Sequence, residues 1–122
     1  MIKKVYQQNL KDCGVACLIS IIRYYKGDNT FENIRYLTKC NNNGITALNL
    51  IEASKKLGFN ARGLRCEYND IKELVLPLIC HIVFKNGYNH YIVLYKISDK
   101  NVVVFDPYYG IKKYTKEEFS SK

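Results

Sequence analysis

The sequence has no run of apolar residues approaching the roughly 18 needed to cross a bilayer as a helix. That argues against a membrane helix within these 122 residues. A secretory signal is also missing, because Met1-Ile2-Lys3-Lys4 leads into polar residues and not into an apolar h-region. The expectation is a soluble, intracellular polypeptide. Cys occurs five times, at 13, 17, 40, 66 and 80, yet never as Cys-x-x-Cys. An odd count at scattered spacing argues against a disulfide framework. His is scarce, limited to His81 and His90, and their spacing relative to the Cys residues matches no usual zinc ligand pattern. Most of the thiols read as small buried hydrophobes. Repeats, linkers and low-complexity segments are absent, and the length suits one domain of common size better than two.

A basic balance is present, with a net charge of +8. A surface of this sign attracts nucleic acid, anionic lipid or acidic peptides. The lysines, however, are spread along the chain and form no basic run. No motif of the usual DNA- or RNA-binding sets is visible. The charge reads as a solvated, lysine-rich surface, and no nucleic-acid partner is expected.

The apolar pattern divides the chain into helices followed by strands. Val15, Leu18, Ile19 and Ile22 recur at helical steps, which predicts a helix over 13–26 with Gly27 as its stop and Asp12 as its N-cap. A short helix over 30–38 starts at Thr30, and a third over 46–57 ends at Gly58. Residues 59–64 read as a strand, and 69–74 as one or two helical turns. Strands are predicted over 77–84, 90–97, 102–106 and near 112–114, with Lys85-Asn86-Gly87-Tyr88 as a hairpin turn and Asp106-Pro107-Tyr108-Tyr109-Gly110 as a second turn. Thr115 and Glu118 form a capping box for a last helix. Helices first and an antiparallel sheet afterwards define an α+β domain.

The run Gln7-Gln8-Asn9-Leu10-Lys11-Asp12-Cys13-Gly14-Val15-Ala16-Cys17 carries the strongest chemical signal. Cys13 stands where a helix begins, and the positive end of a helix dipole favours a thiolate, the nucleophilic form. An amide six residues upstream, Gln7, can donate to a developing oxyanion. Thiol chemistry of this kind further requires an imidazole and a group to orient it. His81 lies inside the apolar run 78–83 and reads as a structural residue, although its place on the strand next to His90 keeps it in consideration. His90 opens its strand just after a turn. Asp106 ends the next strand, so antiparallel pairing brings its carboxylate beside His90; by itself, Asp106-Pro107 is an ordinary turn signal.

Taken together, these residues closely resemble the C39 peptidase family, bacteriocin-processing domains found at the N-termini of peptidase-containing ABC transporters. The resembling pieces are Gln7 with Asp12-Cys13-Gly14-Val15-Ala16-Cys17-Leu18, Tyr24-Tyr25 with Gly27, Gly44-Ile45-Thr46-Ala47, Leu57-Gly58-Phe59, Pro77, Asn89-His90-Tyr91-Ile92-Val93, and Asp106-Pro107 with Gly110. The resemblance implies a papain-like cysteine peptidase fold, with N-terminal helices packed on an antiparallel β-sheet over 1–122 as a single C39 peptidase domain. It implies Cys13 as nucleophile, His90 as general base and acid, Asp106 as its orienter, and Gln7 as oxyanion donor beside the Cys13 backbone amide. It also implies removal of a leader peptide from a bacteriocin or pheromone precursor after a Gly-Gly motif, coupled to export. The implied partners are that precursor and the transmembrane and nucleotide-binding parts of a transporter at the cytoplasmic face of a bacterial membrane. No cofactor and no metal are implied. Apolar residues of the first and third helices with Tyr24 and Tyr25 are candidates for the leader groove. One departure is Ile45, which separates Gly44 from Thr46 where the family often has Gly-Thr. The rival readings are a C39-like module that docks leaders without cutting them and a papain-like acyl or amide transferase.

Overall fold

The computed structural model describes residues 2–64, 67–83 and 89–120. Helix α1 spans Cys13–Tyr24, and every residue from Cys13 to Ile22 is buried. A helix without a solvent-facing stripe has to run through the core, and α1 does so. It ends earlier than its apolar pattern predicts. Lys26 takes the left-handed conformation (φ 69°). The N–H of Lys26 donates to Arg23 O at 3.0 Å and that of Gly27 to Ile22 O at 2.9 Å, a Schellman closure. The approach at Gly27 is tight: a Cβ would lie 3.1 Å from Cγ2 of Ile22.

Two shorter helices lean on α1. Helix α2 (Phe31–Thr38) is capped by Thr30, whose Oγ1 accepts from the Asn33 N–H at 3.0 Å. Helix α3 (Ala47–Lys56) is capped by Thr46 in the same way, from Asn49 at 3.1 Å. Gly58 closes α3 at φ 96°, a conformation that costs little without a Cβ. A single turn, α4 (Tyr68–Ile71), precedes the sheet, and α5 (Lys116–Ser120) follows it. The capping box of α5 is present, with Thr115 N–H to Glu118 Oε1 at 2.8 Å and Glu118 N–H to Thr115 Oγ1 at 3.1 Å.

The sheet is a meander of β1 (Leu78–Val83), β2 (Asn89–Ile97), β3 (Asn101–Asp106) and β4 (Gly110–Thr115) in the order β1-β2-β3-β4. All three pairings are antiparallel, with Ile82 opposite His90, Val93 opposite Phe105 and Asp106 opposite Gly110. Side chains alternate across the sheet. Tyr91, Val93, Tyr95 and Phe105 meet α1, while Ile92, Leu94, Val102 and Val104 pack with Tyr68 and Phe119 on the other face. Helices therefore cover both faces, which explains why β2 reads as a continuous apolar run.

Two expectations are corrected. Residues 59–64 form no strand. Phe59 packs edge-on against Tyr25, with ring centroids 6.0 Å apart, and Asn60, Arg62, Gly63 and Leu64 are exposed. β-Forming side chains without a neighbouring edge to pair with stay irregular. Asp12 stands at the N-cap of α1 but its side chain makes no cap hydrogen bond, for a reason given below. The hairpin turn expected at Lys85–Tyr88 and the residue Cys66 lie outside the described residues.

Close approach dominates the start of α1. A Cβ on Gly14 would lie 2.4 Å from Cδ1 of Ile45, 2.8 Å from its Cγ1 and 3.1 Å from the Tyr91 ring. Gly14→Ala is therefore expected to lower stability by about 1–3 kcal/mol, the usual scale of overpacking. Urea denaturation of the variant against wild type measures it, and an unchanged midpoint would refute the tight fit.

Candidate active site

The loop before α1 is built on Asn9. Its carbonyl accepts from the Asp12 N–H at 3.2 Å and from Nε2 of Gln7 at 2.9 Å, while its side chain accepts from the Lys11 N–H at 2.9 Å. The backbone N–H of Gln7 donates to Pro107 O at 3.0 Å. Gln7 is thus tied on one side to the start of α1 and on the other to the turn after Asp106. Its Oε1 is buried without a hydrogen-bond partner among the described residues. From this loop the chain enters α1 at Cys13, which is 8% exposed.

The sheet supplies the second half. His90, near the start of β2, and Asp106, at the end of β3, meet through Nε2 and Oδ1 at 2.9 Å with both side chains nearly fully buried. The same Oδ1 accepts from the N–H groups of Tyr108 at 2.8 Å and Tyr109 at 3.3 Å. The Asp-Pro turn thus orients the carboxylate that holds the imidazole. With Nε2 turned to Asp106, Nδ1 occupies the other edge of the ring, and the Cys13 thiol is near enough to favour the charged form of this imidazole. Sequence-distant Cys13, His90, Asp106 and Gln7 are thereby brought to one place.

Electrostatics follow from this packing. Burial disfavours the charged imidazole of His90. The hydrogen bonds and charges of Asp106 and Cys13 outweigh it and raise the pKa from 6.5 to about 9. Burial likewise pushes Asp106 up, but the hydrogen bonds from His90, Tyr108 and Tyr109 leave it below the ordinary carboxylate range. Behind the site, burial pushes the Cys17 thiol well up. Burial also takes the phenol of Tyr91, which donates to Ile45 O at 3.2 Å, to about 12. The arrangement is an imidazole whose charged form is favoured by a carboxylate, beside a thiol at a helix start.

His81 is placed elsewhere: exposed on β1, it stacks on the Tyr91 ring with centroids 4.7 Å apart. The α1 residues suggested for a groove are core, and Tyr24 is partly buried against it. Tyr25 and Leu48 of α3 are exposed. Among the described residues no three His, Cys, Asp or Glu side chains converge as a metal site, and no helix is long and apolar enough to cross a membrane. Arg35 and Gln8 were not singled out by sequence. Arg35 forks onto Asp12, with Nε to Oδ1 at 3.0 Å and Nη2 to Oδ2 at 2.5 Å, and Nη2 reaches Gln8 Oε1 at 2.8 Å. No local pattern announces a pair 23 residues apart.

The sequence profile of the Peptidase C39 family matches residues 1–122. The chain belongs to the peptidase C39 family. Among curated relatives, the Lactococcin-G-processing and transport ATP-binding protein LagD of Lactococcus lactis subsp. lactis is 36% identical, over all of this chain and 18% of LagD. The Pediocin PA-1 transport/processing ATP-binding protein PedD of Pediococcus acidilactici is 33% identical over 95% of this chain and 17% of PedD. The chain thus spans less than a fifth of the length of these relatives. Among solved structures, the peptidase domain of Streptococcus ComA, a bi-functional ABC transporter of a quorum-sensing pathway, matches with a TM-score of 0.89 and 33% identity. That match covers 100% of this chain and 92% of the ComA domain. A double glycine motif protease from a transporter, in complex with its leader peptide, matches with a TM-score of 0.87 and 28% identity, covering 99% of this chain and 84% of that one. The α+β, papain-like architecture expected from the sequence is the C39 peptidase fold.

The His90–Asp106 pair gives this C39 domain a pH-dependent stability. A His pKa raised by folding contributes fully below its unfolded value and is lost as pH rises through the folded one. The contribution of His90 is therefore complete below pH 6.5 and fades toward about 9. The lowered Asp106 adds stability at pH values above 3.8, lost as the pH falls below it. Urea midpoints of wild type are expected to fall between pH 6.5 and 9.5, and His90→Gln to remove most of that slope. Parallel slopes in the two proteins would refute the assignment.

Proposed function

We propose that this chain is the peptidase part of a bacterial exporter, and that it removes the leader from a bacteriocin or peptide-pheromone precursor directly after a Gly-Gly motif. The observation that carries this reading is the buried His90–Asp106 pair closing on the thiol at the start of α1. In this reading the Cys13 thiolate attacks the carbonyl carbon of the second glycine. The oxyanion receives hydrogen bonds from the Cys13 backbone N–H and from the Gln7 amide, which has a second N–H beyond the one on Asn9 O. The imidazolium of His90 then passes its proton to the leaving amine as the C–N bond breaks, which leaves a thioester. Neutral His90 takes a proton from water, the hydroxide attacks the thioester, and the thiolate departs. Asp106 holds the ring and stabilises its charged form throughout. Thiol, imidazole and carboxylate suffice for these steps, so the reaction calls for no cofactor.

Two glycines offer little binding energy, so recognition has to come from the rest of the leader. The proposed leader is an amphipathic helix, and the basic surface, +8 in net charge, suits acidic leaders by steering. The proposed partners are the transmembrane and nucleotide-binding parts of the exporter, with this domain on the cytoplasmic face.

The test is mass-spectrometric cleavage of a synthetic leader ending in Gly-Gly followed by a short core. Wild type is expected to cut after the second glycine, and Cys13→Ala to leave the peptide intact while keeping its fold. Turnover by that variant would refute the nucleophile. Tight leader binding without cleavage by wild type would favour the docking module instead. Gln7→Ala is expected to lower kcat about a hundredfold or more, the scale of one oxyanion donor. A negligible loss removes Gln7 from that role.

A further inference from the structure

We propose that Arg35 is a positioning residue for the reaction, holding the Asp12 carboxylate away from the start of α1 and fixing the loop that delivers Gln7 and Cys13. This inference rests on the peptidase reading above. Asp12 is 1% exposed and sits at the N-cap, where an Asp side chain ordinarily accepts from the N–H groups of the first helical turn. Here it makes no such bond. Its carboxylate oxygens are taken by Nε and Nη2 of Arg35, at 3.0 and 2.5 Å. A planar guanidinium matches a carboxylate in this two-point fashion, and a Lys ammonium does not.

The fork itself is held from three sides. Nη2 also donates to Gln8 Oε1 at 2.8 Å, the guanidinium carbon lies 5.3 Å over the Phe31 ring, and Arg35 stands on α2, which is capped by Thr30. Gln8 follows Gln7, and Asp12 precedes Cys13. One side chain from another helix therefore grips both ends of the loop between the amide and the thiol.

The charge matters as much as the grip. Without Arg35, a buried anion remains one residue before the nucleophile, and the partners within its reach are the N–H groups at the helix start. A carboxylate there opposes both a thiolate and the oxyanion that forms beside it. Paired with Arg35, the same carboxylate is neutralised and turned aside. Arg35 thus acts through Asp12 and Gln8 and touches no reacting atom.

Three variants separate grip from charge: Arg35→Lys, Arg35→Met, and the double variant Asp12→Asn with Arg35→Met, which leaves no buried charge unpaired. Two readouts are taken at a temperature where circular dichroism shows each variant folded. One is kcat and KM on the Gly-Gly peptide. The other is the rate at which iodoacetamide alkylates Cys13, followed by peptide mass spectrometry, which needs no substrate and stands even if the peptidase reading fails. Arg35→Met is expected to lower kcat by about tenfold to a hundredfold, the scale of a small misplacement of a reacting group, with KM nearly unchanged and Cys13 alkylation slowed. The double variant is expected to fall between Arg35→Met and wild type in both readouts, and Arg35→Lys to show a smaller loss than Arg35→Met. Wild-type kcat and alkylation in Arg35→Met would overturn the proposal. So would a double variant as impaired as Arg35→Met, since a purely structural role predicts no relief from removing the charge. If Arg35→Met does not fold, the double variant decides alone, and wild-type values in it would overturn the proposal.

Discussion

The burial of α1 on every side is the constraint on which the rest of this domain depends. A helix that carries apolar residues all round has no preferred face, so something has to be packed against each of its sides. The sheet face with Tyr91, Val93, Tyr95 and Phe105 provides one wall, and α2 and α3 provide the others. Its polar exception is satisfied as well: Ser20 Oγ donates to Lys3 O at 2.7 Å and lies 2.8 Å from the Tyr95 hydroxyl, so no buried group there is left costly. Once α1 is fixed in rotation and depth, the position of its first residue is fixed too. The thiol at that residue is placed by the core from one side and by the loop that Arg35 grips from the other.

The site adds a second layer of constraint in its charges. Four buried groups have a stake in charge: Asp12 and Cys13 at the start of α1, and His90 and Asp106 on the sheet. Each anion there is given a cation or a set of N–H groups. Asp106 has the imidazole and two backbone donors, and Asp12 has the guanidinium of Arg35. Buried charges persist only when paired in this way. The pairing also assigns direction, because it turns one carboxylate onto the imidazole and keeps the other off the helix start.

Much of this was legible in the chain because the deciding signals are local. Thr30 and Thr115 cap what they were expected to cap, and the turn signals bounding β2 and β3 placed His90 and Asp106 at facing ends of neighbouring strands. Legibility failed where one residue type serves two purposes. Asp12 was read as a cap because Asp before an apolar helical run ordinarily is one; the competing partner, Arg35, lies on another helix and leaves no trace in the local pattern. Phe59 to Leu64 have the side chains of a strand, yet strand formation requires an edge to join, and that depends on tertiary placement. The stop of α1 was assigned to Gly27, while it is Lys26 that takes the left-handed turn. The fold class survived these errors because it rests on several independent elements.

The sheet order has a consequence for how the site comes into being. β1, β2, β3 and β4 pair strictly with their neighbours in sequence, so each hairpin can zip as soon as its second strand leaves the ribosome. The thiol has no such local partner. Cys13 is synthesised more than half a chain before His90, and Asp106 comes later still. Until β3 is made and docked on α1, the growing polypeptide holds an isolated thiol with neither imidazole nor carboxylate beside it. The juxtaposition of thiol, imidazole and carboxylate is thus a property of the finished domain, assembled only when the third strand has docked.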